Sequence, residues 1–293
     1  MSVETIARTL ARWLVRLPAS VVHWLLVLWG ASVNFSVGRV YLMAAAISYF
    51  ALLSIFPFLL LALAIFGVVL RDEELQGRVL AEIVAALPIE APTIAEALNN
   101  LAGRGASMGL FALIGTVIAA TALARALRGS LNAIFRAEQQ RPIVVGWLLD
   151  LTVLPVLGLL FITSLLLSTV WRFVEALAGN IGPLEELTLF WELGAFAIPA
   201  LLSFVGLLLL YLFLPNRPLH VRDVWPGALI AMLGFQIGTF VFAIYFENFG
   251  AYDLVYGSLG GVIALLGWVF VSSLILLFGA VVAAVASRRA NDG

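Results

Sequence analysis

The chain has 293 residues, of which 63% are hydrophobic and 11% charged, with a mean hydropathy of +1.11. Soluble domains carry roughly 25% charged residues, and a water-soluble fold of this length could not hide so much apolar surface. The formal net charge of −1 argues against nucleic-acid binding, and the absence of cysteine removes disulfides, thiol nucleophiles and thiolate metal sites.

The N-terminus opens on a helical pattern. Glu4, Arg8, Arg12 and Arg16 recur every four residues, while Ile6, Leu10, Trp13, Leu14 and Leu17 share another face, and Pro18 ends the run. Such an amphipathic helix is expected either to lie in the inner leaflet with Arg8, Arg12 and Arg16 on anionic headgroups, or to pack on the bundle. No small-x-small cleavage pattern follows, so the first span is expected to act as an uncleaved anchor. Residues 21–29 are apolar all round but short, with His23 and Asn34 flanking or interrupting them. They read as a second interfacial or partly buried helix. A crossing there would move Arg8, Arg12 and Arg16 to the outer side.

Six later segments reach the roughly 20 apolar residues that a bilayer crossing needs. They are residues 40–70, 107–124 (the helix continuing to 135), 143–170, 190–214, 225–246 and 257–286. Lipid forbids unpaired backbone, and nothing alternates as a barrel strand would, so all six are read as helices. Between the first two lies a segment, 71–105, with two amphipathic stripes. Leu75, Val79, Leu80, Ile83, Val84 and Leu87 precede Pro88, and Ile94, Ala97, Leu98 and Leu101 follow Pro92. They predict two short helices over the outer mouth, as a lid, a partner-docking surface or a plain cap.

The basic residues, all arginine, give the orientation. Arg8, Arg12, Arg16, Arg39, Arg125, Arg128, Arg136, Arg141, Arg217, Arg222, Arg288 and Arg289 fall on one side of the six segments, and Arg71, Arg78, Arg104 and Arg172 on the other. This imbalance predicts both termini in the cytoplasm. The expected fold is an all-α polytopic membrane bundle of six transmembrane helices. Residues 1–39 form a cytoplasmic or interfacial segment, 40–286 the membrane domain, and 287–293 a cytoplasmic tail.

Polar residues inside apolar spans are the candidates for function. In the first span Ser48, Tyr49 and Ser54 precede Pro57, which frees the carbonyl of Leu53 and kinks the helix. They either pack or face a cavity. Arg125 and Arg128, three apart on one helix side, either snorkel or hold a phosphate, with Asn132 one turn beyond. Asp150 sits about 10 Å below the start of its span and needs a partner, with Arg125 and Arg128 nearest in depth. Gln236, near the middle of the fifth span, is interhelical glue or a ligand. Glu247 ends that span beside Tyr245, and Tyr256 and Gly257 close the short outer loop that follows. Asn216 lies in the loop between the fourth and fifth spans. No enzyme constellation is present: there is no HExxH, P-loop or GxSxG, and His220 and Asp223 offer too little for hydrolysis of RNA. No metal site and no cofactor are expected.

Four stretches resemble a known family. They are AAAISYFALLSIFP (44–57), LARALRGSLNAIF (123–135), LPNRPLHVRDVWPGAL (214–229) and FAIYFENFGAYDLVYGSLGGVIALLGW (242–268), the last leading into LLFGA. The chain is similar to the YihY/virulence factor BrkB family, formerly labelled ribonuclease BN-like, with YGSLGG and LPN…PGA the more specific elements. The resemblance implies six spans with cytoplasmic ends in a bacterial inner membrane. It also implies a link to envelope integrity and serum resistance, with lipid or solute transport proposed. It points to Ser48, Tyr49, Ser54, Pro57, Arg125, Asn132, Pro215, Asn216, Tyr245, Tyr256, Gly257 and Gly260, and carries no catalytic residues.

Three readings follow. In the first, the chain moves or presents an amphipathic, lipid-like substrate, with Arg125 and Arg128 on phosphate, Asp150 tuning their charge, and Ser48, Tyr49, Asn216 and Gln236 along the path. The second is a non-transporting scaffold that docks an envelope protein on the 71–105 loop. The third is an ion- or proton-coupled solute carrier using Asp150 or Glu247. An apolar groove open to lipid would favour the first, a tight bundle the second and an enclosed polar cavity the third.

Overall fold

The structure is a computed structural model that describes residues 19–37, 39–69, 105–137, 141–178, 188–247 and 258–291. Among these residues every regular element is an α-helix: α1 (Ala19–Val37), α2 (Val40–Val69), α3 (Gly105–Phe135), α4 (Ile143–Ala178), α5 (Thr188–Phe213), α6 (Val221–Glu247) and α7 (Ser258–Asn291). Each of the six apolar segments expected as spans coincides with one of α2 to α7, and α3 does run on to Phe135. Among the described residues four stretches are long and apolar enough to cross a membrane: Leu110–Phe135, Leu189–Phe213, Val221–Tyr245 and Gly261–Arg288. Leu26–Phe35 and Val40–Ile55, bent by 70° at their junction, add a fifth if they count as one span. The expected N-terminal amphipathic helix, the Arg71 to Arg104 loop, Tyr256 and Gly257 lie outside the described residues.

One expectation needs correction. The short helix expected at 21–29 extends over 19 residues. Ser32 donates its hydroxyl to the Leu28 carbonyl at 2.9 Å, and Asn34 its amide to the Gly30 carbonyl at 2.7 Å. Polar side chains that bond back to their own turn do not interrupt a helix. The buried face of α1 carries Val27 and Ala31. Trp24 stands edge-on to Trp225 of α6 at 6.2 Å, and Phe35 edge-on to Phe278 of α7 at 5.5 Å. Arg39, at φ 56°, turns the chain into α2, and its carbonyl accepts the N–H groups of Leu42 and Met43. A left-handed backbone at that single residue permits the sharp bend.

Helix α7 is the axis of the bundle. It packs on α1, α2, α3 and α6, while α3 also packs on α2, and α5 lies between α4 and α6. Of its apolar stretch 44% is buried, against 17 to 22% for the other three spans, so it is the most covered of the four. Ala280, Val281, Val282, Ala283 and Ala284 are buried in unbroken succession, which a helix with one solvent or lipid face cannot achieve. The other helices present Phe111, Ile118, Leu159, Leu189, Phe240 and many similar side chains outward. That exterior is intolerable in water and is what a bilayer requires.

Small residues set the closest crossing. The carbonyl of Gly279 lies where a side chain on Gly227 would begin, and the Gly227 carbonyl lies 2.6 Å from where one on Gly279 would begin. Ala231 and Ala283 follow one turn later on the two helices and join the same contact. This small-xxx-small pairing of α6 on α7 gives the PGA and FGA elements their physical reason, because backbones in lipid associate by close packing. Tyr211 of α5, fully buried, closes the junction by donating its hydroxyl to the Leu276 carbonyl at 2.5 Å. Gly115 of α3 packs beside the Pro57 ring of α2, which lies at ordinary contact distance, 3.5 Å, from where its side chain would start.

Gly279→Leu is expected to cost about 3 kcal/mol or more, since the intruding side chain meets backbone rather than a movable neighbour. A lowered midpoint of thermal unfolding in detergent is the measurement. Gly267→Ala, which meets nothing within 4 Å, should leave the midpoint equal or slightly raised.

Candidate functional site

A helix leaves its last carbonyls without intrahelical donors, and these carry the negative end of the macrodipole. At one end of this bundle the gap is filled largely by arginine. Helix α3 closes with Arg136 at φ 50° and the Ala137 N–H on the Asn132 carbonyl at 2.9 Å, which is a Schellman closure. The next two open carbonyls take guanidinium donors. Arg288 reaches the Ile134 carbonyl at 3.2 Å, and Arg217 the Phe135 carbonyl at 3.4 Å. Helix α5 ends similarly: Arg141 forks onto the Phe213 and Pro215 carbonyls at 3.1 and 2.8 Å. Side chain Oδ1 of Asn132 accepts the Asn216 N–H at 2.7 Å, pinning the buried Leu214–Pro215 turn to α3. The Asn216 Oδ1 atom is itself buried without a hydrogen-bond partner among the described residues.

Four arginines that the charge imbalance assigns to one side therefore converge on one end. Beside them, a cavity of about 160 Å³ is lined by Asn34, Val40, Met43, Arg136, Val281 and Arg288. Further along α7 lies an open apolar groove of about 620 Å³. Phe35, Tyr41, Leu233, Ile237, Leu274 and Phe278 wall it, with Ser32 and Tyr41 as the side chains that carry a hydroxyl. A smaller space of about 240 Å³ between α4, α5, α6 and α7 is also apolar, apart from Ser164 and Ser203.

The expected site residues are scattered over this frame. Asn132 and Asn216 come together. Ser48 is buried and donates to the Ala45 carbonyl, and Ser54 donates to that of Phe50, so both hydroxyls are spent within α2. Tyr49 faces outward against Phe50, and Pro57 meets Gly115. Arg125 is exposed. Arg128 is half-buried, its guanidinium lying where a side chain on Gly146 of α4 would stand. Asp150 is one turn further along α4 and Glu247 ends α6, but their side chains lie outside the described residues. Gln236 is half-buried between Phe235, which lines the smaller space, and Ile237, which lines the groove. Tyr245 is exposed at the far end of α6. Asp223 accepts the His220 N–H at 3.0 Å while its own N–H donates to the His220 carbonyl, a reciprocal cap at the start of α6.

Arg136 and Arg288 entered the sequence reading only as markers of orientation. The signal for Arg136 was its place directly after Phe135, the last apolar residue of α3, where glycine is usual.

A family model described as Virulence factor BrkB matches residues 31–293. The chain is 27% identical over 249 residues to YfkH of Bacillus subtilis (strain 168), a protein named as ribonuclease-like, covering 84% of this chain and 90% of the relative. It is 32% identical over 254 residues to a UPF0761 membrane protein of Chlorobium luteolum, covering 86% of this chain and 58% of the relative. A UPF0761 membrane protein of Rhodospirillum rubrum is 31% identical over 245 residues, covering 83% of this chain and 54% of the relative. No solved structure matches.

Arg141→Ala is expected to cost about 1–2 kcal/mol, because two carbonyls lose a charged donor near the surface. Faster amide exchange at residues 213–217 would register the loosened turn. Arg141→Lys should not restore protection, since an ammonium lacks the planar fork that spans both acceptors.

Proposed function

The chain belongs to the virulence factor BrkB family, and on that footing we propose that this membrane protein is a carrier for an amphipathic, lipid-like substrate. In this reading it sits in a bacterial inner membrane, crosses it six times with α2 to α7, and keeps both termini in the cytosol. Arg8, Arg12 and Arg16 then rest on anionic headgroups of the inner leaflet. It acts by binding and moving its substrate, in service of the cell envelope, and not by catalysis.

The observation that carries the proposal is the open apolar groove walled by α1, α6, α7 and the start of α2. Its volume falls in the roughly 300–1,000 Å³ range of small-ligand sites, and its walls offer an acyl chain contact along its length. The hydroxyls of Ser48, Ser54, Thr116, Thr121, Ser130 and Ser273 all bond to carbonyls of their own helices. They therefore do not supply the polar lining that a small hydrophilic solute would need. The space between α4 and α5, lined mainly by Leu160, Leu202, Leu207, Phe235 and Leu276, is no better suited to one.

Two experiments test this. The chain has no cysteine, so each introduced one is unique. His220→Cys should react with a membrane-impermeant maleimide only from the cytosolic face, and Tyr245→Cys only from the outer face. Reaction of both from a single face would remove the assigned topology. Leu233→Trp, placed to fill the groove, should reduce movement of a fluorescent lipid in reconstituted vesicles to near the protein-free rate. Unchanged movement would retire the groove as the path.

A further inference from the structure

We propose that the cavity beside the α1–α2 junction binds a phosphate group, held between the guanidinium groups of Arg136 and Arg288. The proposal rests on the amphipathic-substrate reading and names the polar end of that substrate. In a bilayer the groove alone gives little selectivity, because lipid tails are as apolar as leucine. Discrimination among lipids must come from the headgroup.

Three observations converge. The first is charge. Arg136 and Arg217 lie close enough to Arg288 to act on it as like charges, and among the described residues no carboxylate pairs with any of the three. Like charges gathered at the edge of a low-dielectric layer repel until an anion joins them. The second is conformation. Arg136 occupies the left-handed closing position of α3, where a non-glycine residue carries about 1–2 kcal/mol of strain. Glycine would terminate the helix without that strain. The arginine side chain makes no hydrogen bond among the described residues, yet it lines the cavity. A strained residue whose side chain bonds to none of the described residues points toward function.

The third is supply of donors. Arg288 spends one nitrogen on the Ile134 carbonyl, and a guanidinium has five N–H groups. Its remaining donors and those of Arg136 suit the several oxygens of a phosphate, which guanidinium forks engage in pairs. Asn34 donates its amide to the Gly30 carbonyl, leaving the guanidinium groups as the cationic donors of the cavity. The C-termini of α3 and α7 would otherwise repel an anion, and the arginines reverse that field. Arg288 lies ten residues beyond Phe278 of the groove wall. This places the two about 15 Å apart along α7, close to one leaflet of the roughly 30 Å hydrocarbon core. A phosphate in the cavity thus has an apolar track within reach of its tails.

The test uses the purified full chain in detergent, with native mass spectrometry to count retained lipid. Phosphatidic acid and diacylglycerol with identical chains differ only in the phosphate. Phosphatidic acid should be preferred roughly tenfold or more, as two charge-assisted contacts imply. Arg136→Gly should bring the preference close to one, with a thermal midpoint no lower than that of the parent chain, because glycine suits the backbone there. Arg136→Lys should keep part of the preference, and Arg172→Gln, at the other end of α4, all of it. A parent-like preference in Arg136→Gly overturns the proposal. Inorganic phosphate, titrated alone and against phosphatidic acid, separates the sources. If it competes only weakly, the phosphate arrives on a lipid. If it binds as tightly as the lipid, in an Arg136-dependent way, the site takes the free anion. If neither lipid is retained but inorganic phosphate binds, the amphipathic-substrate reading fails while the phosphate site stands.

Discussion

Backbone carbonyls that emerge from a helix at the edge of a bilayer need donors, and hydrocarbon provides none. At one end of this protein, that need is met by three arginines from other segments. Arg288 and Arg217 serve the end of α3, and Arg141 the end of α5. The solution ties α3, α5, α7 and the Leu214–Pro215 turn into one assembly. It also concentrates positive charge where helix C-termini would otherwise leave a negative field. The anion-attracting mouth is thus a consequence of how the helices terminate, and Arg136 adds a guanidinium that the termination itself does not require.

The rest of the architecture follows from the weakness of hydrophobic sorting within lipid. A helix surrounded by apolar tails gains little by hiding leucine, so association depends on how closely backbones approach. Gly227, Ala231, Gly279 and Ala283 allow α6 and α7 to touch nearly backbone to backbone, and Tyr211 adds a hydrogen bond from α5. Bulky side chains are displaced to the outside, where lipid covers them. The groove forms where this close packing stops. The chain bends at Arg39, α1 leans on α6 and α7, and Phe35 and Tyr41 from the two sides of the bend become walls.

Much of the helical pattern was readable along the chain. Six apolar runs correspond to α2 through α7, and four of the arginines that the imbalance put on one side, Arg136, Arg141, Arg217 and Arg288, meet at one end. Three polar side chains in apolar runs share one local behaviour. Asn34 was taken to flank or break the first apolar run, whereas its amide bonds to its own helix. Ser48 and Ser54 were read as either packing or facing a cavity, and each donates its hydroxyl within one turn of α2. Hydropathy scores a polar side chain by type, and cannot register that a nearby carbonyl has already accepted its hydrogen. The PGA and FGA elements were visible as motifs, but their cause is a carbonyl from a helix some 50 residues away.

The sequence by itself determined the class of solvent and the helical state of the long segments. Those properties depend on composition and on local periodicity, and both can be read in order along one dimension. Tertiary structure alone decided that Asn132 meets Asn216, that Arg141 holds the α5 terminus, and that Arg136 and Arg288 face one cavity. Such contacts join residues 74 to 154 positions apart. They arise from which backbones can approach and which carbonyls remain open, quantities that exist only once the helices are packed.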